Sequence, residues 1–209
     1  MIATVSILDI GQAQDWLRGL LSPERYEHSR GAHDKAVELA EKFGFTQAER
    51  EKAAVAGLLH DAAKLMPPAE LFAYAEQHGM HIDEMDRQAP QTLHPFIGAE
   101  LVKEKFGIED EEILNAIRYH TTGRAGMGRV EKVVFVADKI EGNTRNPLYI
   151  QKMTSQLDYK DPSSLDATML YILDSTIEFI LSKHQVLHPR TVEARNDFVT
   201  TLKAKGKFQ

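Results

Sequence analysis

Apolar residues recur at a helical period along nearly the whole chain, and no stretch alternates apolar with polar as a half-buried strand must. A face of that period is buried most readily against other helices, so the pattern predicts an all-α fold, a single helical bundle. Helix punctuation agrees. Ser22 before Pro23 places a capping residue ahead of a proline at the first helical position, and Gly44 follows the run ending at Phe43. Thr46 with Glu49 forms a capping box that opens the apolar residues 53–59. Pro67-Pro68 starts a helix that stops near Gly79, and a helix from about His94 to Phe106 is closed by Gly107. Asp110 caps EEILNAIRYH, in which Ile113, Leu114 and Ile117 share a face. TTGRAGMG is a loop, VEKVVFVADKIE a helix and GNTRNP another loop. Two long helices, residues 164–183 and 189–205, complete the chain. The stripe Leu165, Met169, Ile172, Leu173, Ile177 and Ile180 reads as core, part of it available to a homodimer surface. With no repeat, low-complexity tract or linker, the expected organisation is a helical extension over residues 1–22 and one domain over 23–205.

Composition narrows the function classes. A chain of 209 residues can bury a substantial core. Its formal charge of −6 argues against a life on nucleic-acid backbones. The absence of cysteine removes disulfides, thiolate nucleophiles, zinc knuckles and iron–sulfur clusters together. No apolar run approaches the roughly 18 residues of a membrane span. The N-terminus has two early acids and no basic region, unlike a signal peptide. A cytoplasmic globular protein is expected, with neither membrane nor nucleic acid as partner.

Histidines and acids carry the chemistry. His60-Asp61 ends the apolar helix AAVAGLLHDAAK, where Leu58 and Leu59 indicate burial. Consecutive helical residues point about 100° apart, so an imidazole and a shorter carboxylate can converge on an ion between them. Asp138 interrupts the valines of VVFVADKI, and an isolated buried carboxylate costs several kcal/mol unless paired or bound to metal. His28, His94 and His120 are further candidates, each expected at or near a helix terminus. Each residue has a plainer reading: His60 as a core histidine, Asp138 paired with Lys64 or an arginine, His94 marking a helix start before Pro95. The ordered set over successive helices is the informative feature. The other histidines (His33, His78, His81, His184 and His188) read as surface or capping residues.

The pattern His28 … His60-Asp61 … His94 … His120 … Asp138 on an all-α chain resembles the HD-domain metal-dependent phosphohydrolases. The words RYEHS, AGLLHDAAK, LHPFIGAE, AIRYHTTGRAGM, EKVVFVADKIE and LHPRTVEARN are more specific. Together they resemble the YqeK-like branch, the symmetrical bis(5′-nucleosyl)-tetraphosphatases of bacteria. The similarity runs from about Pro23 to Val199, and departs from the family's frequent Tyr at Ala62 and in the loop EGNTRNP. It implies hydrolysis of diadenosine tetraphosphate to two ADP, with His28, His60, Asp61 and Asp138 holding one ion, iron first. It also implies that His94 and His120 lie at the substrate phosphates or complete a second metal site.

Imidazole and carboxylate ligands without thiolate suit iron, manganese, cobalt or zinc, singly or as a pair. The phosphates need positive charge as well. Lys64 stands at i+4 from His60 and i+3 from Asp61, and Arg25 one turn before His28. Arg124 lies in the glycine-rich loop after His120, and Arg145 in the loop after Asp138, beside Asn146. Thr121 and Thr122 can bond phosphate or ribose, or simply end a helix. Catalytic work is thus expected of Asp61, Lys64, His94 and His120. Substrate contacts are expected from Lys64, His94 and His120, from His28 and Asp138, and from Arg25, Thr121, Arg124, Arg145 and Asn146. Two alternatives remain open at this stage. One is another HD-type nucleotide phosphohydrolase, although no GYP triplet points to cyclic dinucleotides. The other is a nucleotide-binding regulatory module with little turnover.

Overall fold

The computed structural model describes residues 8–207, so residues 1–7 of the expected N-terminal extension lie outside the described part. The N-terminal segment forms α1 (Ile10–Leu20), where the Asp9 carboxylate accepts from the Gly11 and Gln12 N–H groups. The long α2 (Pro23–Lys42) begins at Ser22, whose hydroxyl accepts from Arg25 N–H, and ends before Gly44 at φ +65°. The capping box of Thr46 and Glu49 opens α3 (Gln47–Leu59) as the sequence predicts. Then follow α4 (Pro68–Gln77), α5 (Glu84–Gln88) and a 3₁₀ turn at Pro90–Thr92. Next come α6 (His94–Phe106), closed by a left-handed Gly107, and α7 (Glu111–Arg118), capped by Asp110. The chain finishes with α8 (Arg129–Ile140), α9 (Pro147–Met153), α10 (Ser164–Ser182) and α11 (Pro189–Ala204). Among the described residues there is no strand.

Helix α8 is the central post. Val133, Val134, Phe135, Val136 and Ala137 are fully buried, which explains a segment apolar on all sides. Helices α2, α3, α7 and α10 pack around it. The close approach of α2 to α3 rests on small residues: a Cβ on Gly57 would stand 3.0 Å from the Ala32 carbonyl and 3.1 Å from the Ala36 Cβ. Leu17, Leu39, Leu58, Leu114, Ile117 and Met169 join the same core, each contributing about 1.5–3 kcal/mol over an exposed position. Ala13 and Leu17 bring α1 into this core. A smaller cluster of Ala63, Leu71, Ala75, Leu93 and Ile97 ties α4 to α6. No helix among the described residues is long and apolar enough to cross a membrane.

Several local expectations change. Helix α3 stops at Leu59, and residues 60–66 continue as turns closed by Lys64 N–H to the Asp61 carbonyl at 2.9 Å and Met66 N–H to the Ala63 carbonyl at 3.1 Å. His28 sits inside α2, in its second turn, rather than near an end. Helix α7 ends at Arg118, two residues before His120. Helices α5 and α9 were not anticipated, since segments of 5 and 7 residues are too short to show a period. Along α10 the stripe is core through Leu173, whereas Ile177 and Ile180 are only partly covered.

Candidate metal centre

Five elements deliver the residues. Helix α2 contributes His28; the C-cap of α3 and the turn beyond it contribute His60, Asp61 and Lys64. His94 opens α6, His120 follows α7, and Asp138 lies in the last turn of α8. All four imidazoles and both aspartates are at most 4% exposed. The six residues that the sequence singles out therefore meet in one buried place.

The rings are oriented by their outer nitrogens. His60 Nδ1 bonds the Gly57 carbonyl at 2.8 Å, His94 Nδ1 the Gln91 carbonyl at 2.7 Å, and His120 Nδ1 the Ile117 carbonyl at 2.8 Å. His28 Nδ1 instead meets the Glu141 carboxylate at 3.1 Å. A ring that donates from Nδ1 keeps its lone pair on Nε2. All four Nε2 atoms point inward: those of His28 and His60 lie 3.3 Å apart, as do those of His94 and His120. Neutral rings in this arrangement set lone pair against lone pair, a repulsion that a cation between them relieves.

Asp61 spans the centre. Its Oδ1 lies 3.2 Å from His94 Nε2 and 3.3 Å from His120 Nε2, while its Oδ2 lies 3.7 Å from His60 Nε2 and 3.8 Å from His28 Nε2. Asp138 Oδ1 approaches His28 Nε2 at 2.9 Å and His60 Nε2 at 3.7 Å. The ligand atoms of His28, His60 and Asp138, and those of His60, Asp61 and His120, each fall within 4.8 Å of one another. Nitrogen and carboxylate donors at such spacing, buried and pre-oriented, fit a first-row divalent ion.

Burial pushes the His60 imidazole down to about 3 and the His94 imidazole down to about 4, so both are neutral at pH 7. Burial opposes charge on His28 as well, but its bonds to Asp138 and Glu141 prevail and raise it above its usual value. Burial likewise works to raise both aspartates. The polar groups packed around them, the imidazoles with Lys64 beside Asp61 and Lys139 with His28 beside Asp138, hold them well below the usual carboxylate range. Both offer anionic oxygens.

A cationic rim surrounds the cluster. Arg25 Nη1 lies 3.5 Å from Asp61, and Lys64 Nζ lies 3.4 Å from His94 Nε2 and 3.9 Å from Asp61. Lys64 converges through the turn after α3 rather than along a helical face. Arg145 donates to both the carboxylate and the carbonyl of Asp138, at 3.2 and 3.0 Å. Lys139 Nζ, which the sequence reading passed over, is 2.6 Å from Asp138 Oδ2. Thr121 Oγ1 lies 3.0 Å from His120 Nε2, while the Thr122 hydroxyl donates to the Gly123 carbonyl. Two expected substrate contacts are not brought to the cluster. Arg124 forms a two-pronged pair with Glu131 at 3.0 and 2.5 Å, and Asn146 caps α9 by accepting from Leu148 N–H. Glu141 is the main omission. Its only signal in the sequence was an acid three residues after Asp138, at the end of the segment VEKVVFVADKIE.

Beside Lys64 and His94 opens a recess of about 220 Å³, lined also by Met66, Pro68, Leu71, Pro90 and Gln91. Comparison with known proteins places the whole arrangement. Residues 25–143 match the HD domain family. A Bacillus subtilis protein named symmetrical bis(5′-nucleosyl)-tetraphosphatase is 36% identical over 182 residues, covering 86% of this chain and 92% of that one. The protein of that name from Halalkalibacterium halodurans is 34% identical, with 90% and 96% covered. A crystal structure from Clostridium acetobutylicum, described as a predicted HD superfamily hydrolase involved in NAD metabolism, superposes with a TM-score of 0.84 at 32% identity, covering 93% of this chain and 99% of that one. The chain belongs to the HD domain family, in the branch of the symmetrical bis(5′-nucleosyl)-tetraphosphatases.

Proposed function

We propose that this protein hydrolyses diadenosine tetraphosphate symmetrically, adding one water across the central P–O–P bridge to give two ADP. The observation that carries this reading is the convergence of four inward Nε2 atoms and two anionic carboxylates beneath a cationic rim. His28, His60, Asp61 and Asp138 would hold one divalent ion, and we assign it as iron, with manganese, cobalt and zinc as the competing occupants. Such an ion, when bound, supplies water of lowered pKa at neutral pH and neutralises phosphoryl charge.

The chain's own residues do the rest. A tetraphosphate carries several negative charges, and Arg25, Lys64, Lys139 and Arg145 supply positive charge around the cluster within 3.9 Å of its carboxylates. Lys64 directs its ammonium at the His94 lone pair, where it can neutralise charge on the diphosphate that leaves. His94 and His120, kept in register by Gln91 and Ile117, face the phosphates from the end of the cluster opposite Asp138. Asp61, with one oxygen toward each pair of imidazoles, keeps the two ends aligned. The recess of Met66, Pro68, Leu71 and Pro90 offers one base an apolar seat.

The test combines two measurements on one anaerobically prepared sample. Elemental analysis should find stoichiometric iron, and chromatography should find ADP as the sole product from diadenosine tetraphosphate. AMP with ATP would contradict the symmetrical cut. Tight ADP binding without turnover under iron, manganese, cobalt and zinc would favour a regulatory nucleotide-binding module.

A further inference from the structure

Three of the four imidazoles are oriented by a main-chain carbonyl, and only His28 by a carboxylate. The fold explains the difference. His60, His94 and His120 stand at helix ends or in turns, where a carbonyl three residues back is free of the regular ladder and takes the ring N–H. His28 lies inside α2, whose carbonyls are engaged by the helix itself, so its Nδ1 needs an acceptor from elsewhere. Glu141, the fully buried C-cap residue of α8, supplies it.

Glu141 is itself held from several sides. Its carboxylate accepts from Asn143 N–H at 2.6 Å, from Thr144 N–H at 3.1 Å and from the Thr144 hydroxyl, as well as from His28. Helix α2 leaves room for it only because residue 31 is glycine. A Cβ there would run into Oε2 and stand 3.1 Å from the Glu141 Cβ and Cδ. A buried acid with every oxygen engaged, in a slot cleared by a glycine one turn from the imidazole it meets, is a built arrangement.

We infer that Glu141 is a positioning residue. By holding His28 with Nε2 inward and enriching the ring electronically, it makes His28 the strongest imidazole donor of the cluster, and Gly31 is the position that admits it. The inference rests on the metal-site reading above. Partners of this kind behind a metal-bound histidine typically contribute 10–100-fold in metal affinity.

The test needs neither substrate nor turnover. Metal-stripped full-length protein is titrated with cobalt(II), and the dissociation constant and visible absorption spectrum are recorded. Glu141→Gln should weaken cobalt binding about 10–100-fold and shift the spectrum. In a His28→Ala background the same substitution should change affinity less than about threefold, since its route is already gone. Thr144→Val, which removes a loop contact but leaves the link to His28, should stay within about threefold of the parent protein. If Glu141→Gln does not fold, Gly31→Ala with and without His28→Ala replaces it, again with a loss expected only when His28 is present. Unchanged affinity in Glu141→Gln, or an equal loss with and without His28, overturns the inference while leaving the metal site standing. A parent protein that takes up no cobalt overturns both.

Discussion

At the N-terminal end of α8, Lys132 reaches Asp166 at 2.7 Å while Lys205, the C-cap residue of α11, meets the other oxygen at 2.7 Å. At the C-terminal end of the same helix, Asp138 lies among imidazoles whose Nε2 atoms face one another at 3.3 Å. Both carboxylates are at most 4% exposed. The first is answered by two flexible ammonium groups, so its charge is settled within the chain. The second is also met by two cations, Lys139 at 2.6 Å and Arg145 at 3.2 Å. It stands, however, beside imidazoles whose inward lone pairs those cations do not satisfy, because burial keeps His60 and His94 uncharged. The comparison teaches that burial of an acid does not mark a site; the chemistry of its neighbours does. Phe43, Phe45 and Arg129 line a cleft beside Asp166, with lysines and no imidazole among its lining residues.

Four experiments put that contrast to the test. The largest effect is expected from Asp61→Ala. It should abolish stoichiometric metal and reduce turnover by roughly a thousandfold or more, with helicity by circular dichroism unchanged. Full activity in that variant would refute the role assigned to Asp61. Metal alone should come next. At a hundredfold excess over the dissociation constant, an ion stabilises the fold by about 2.7 kcal/mol and raises Tm by about 5–10 °C. Chelation should reverse the gain in the parent protein and do nothing to Asp61→Ala.

Asp166→Asn should show the converse. The half-buried Lys132 and the exposed Lys205 lose their anionic partner, and stability should fall by about 1–3 kcal/mol in urea titration while cobalt affinity stays as it was. A loss of metal binding there would erase the distinction between the two ends of α8. The smallest effect concerns Lys52, which pairs with Asp110 at 2.8 Å near the surface. Burial works to raise the Asp110 carboxyl, but the Lys52 bond and the N–H groups it caps hold it below its usual 3.8. A depressed carboxyl contributes stability that is present above 3.8 and is lost as pH falls through the lower folded value. Lys52→Met should therefore cost a few tenths of a kcal/mol at pH 7, and the difference should shrink when urea midpoints are compared near pH 3.

Much of the fold was legible in short stretches of chain. Ser22-Pro23, Thr46 with Glu49, Gly107 and Asp110 mark helix ends through bonds made within four residues, so their effect survives without tertiary context. The six ligand candidates were legible as an ordered set of histidines and aspartates, and Asp138 stood out because an acid inside an apolar helix is conspicuous. Orientation was less legible. Arg124 stood in sequence beside His120, yet Glu131, seven residues away, captures it. Lys64 looked helical with Asp61, but the helix ends before either.

Periodicity and the order of histidines and aspartates thus settled that the chain is a helical bundle and which residues could meet, since both depend on spacing along one strand of polymer. Only the folded arrangement decided that His28 lies mid-helix and must borrow Glu141 across 113 positions, or that Asp61 divides its oxygens between two imidazole pairs. Those facts follow from how α2, α3 and α8 press together. A hydrogen bond or an ion site is set by distances of a few ångströms, and distances between remote segments are created only by packing.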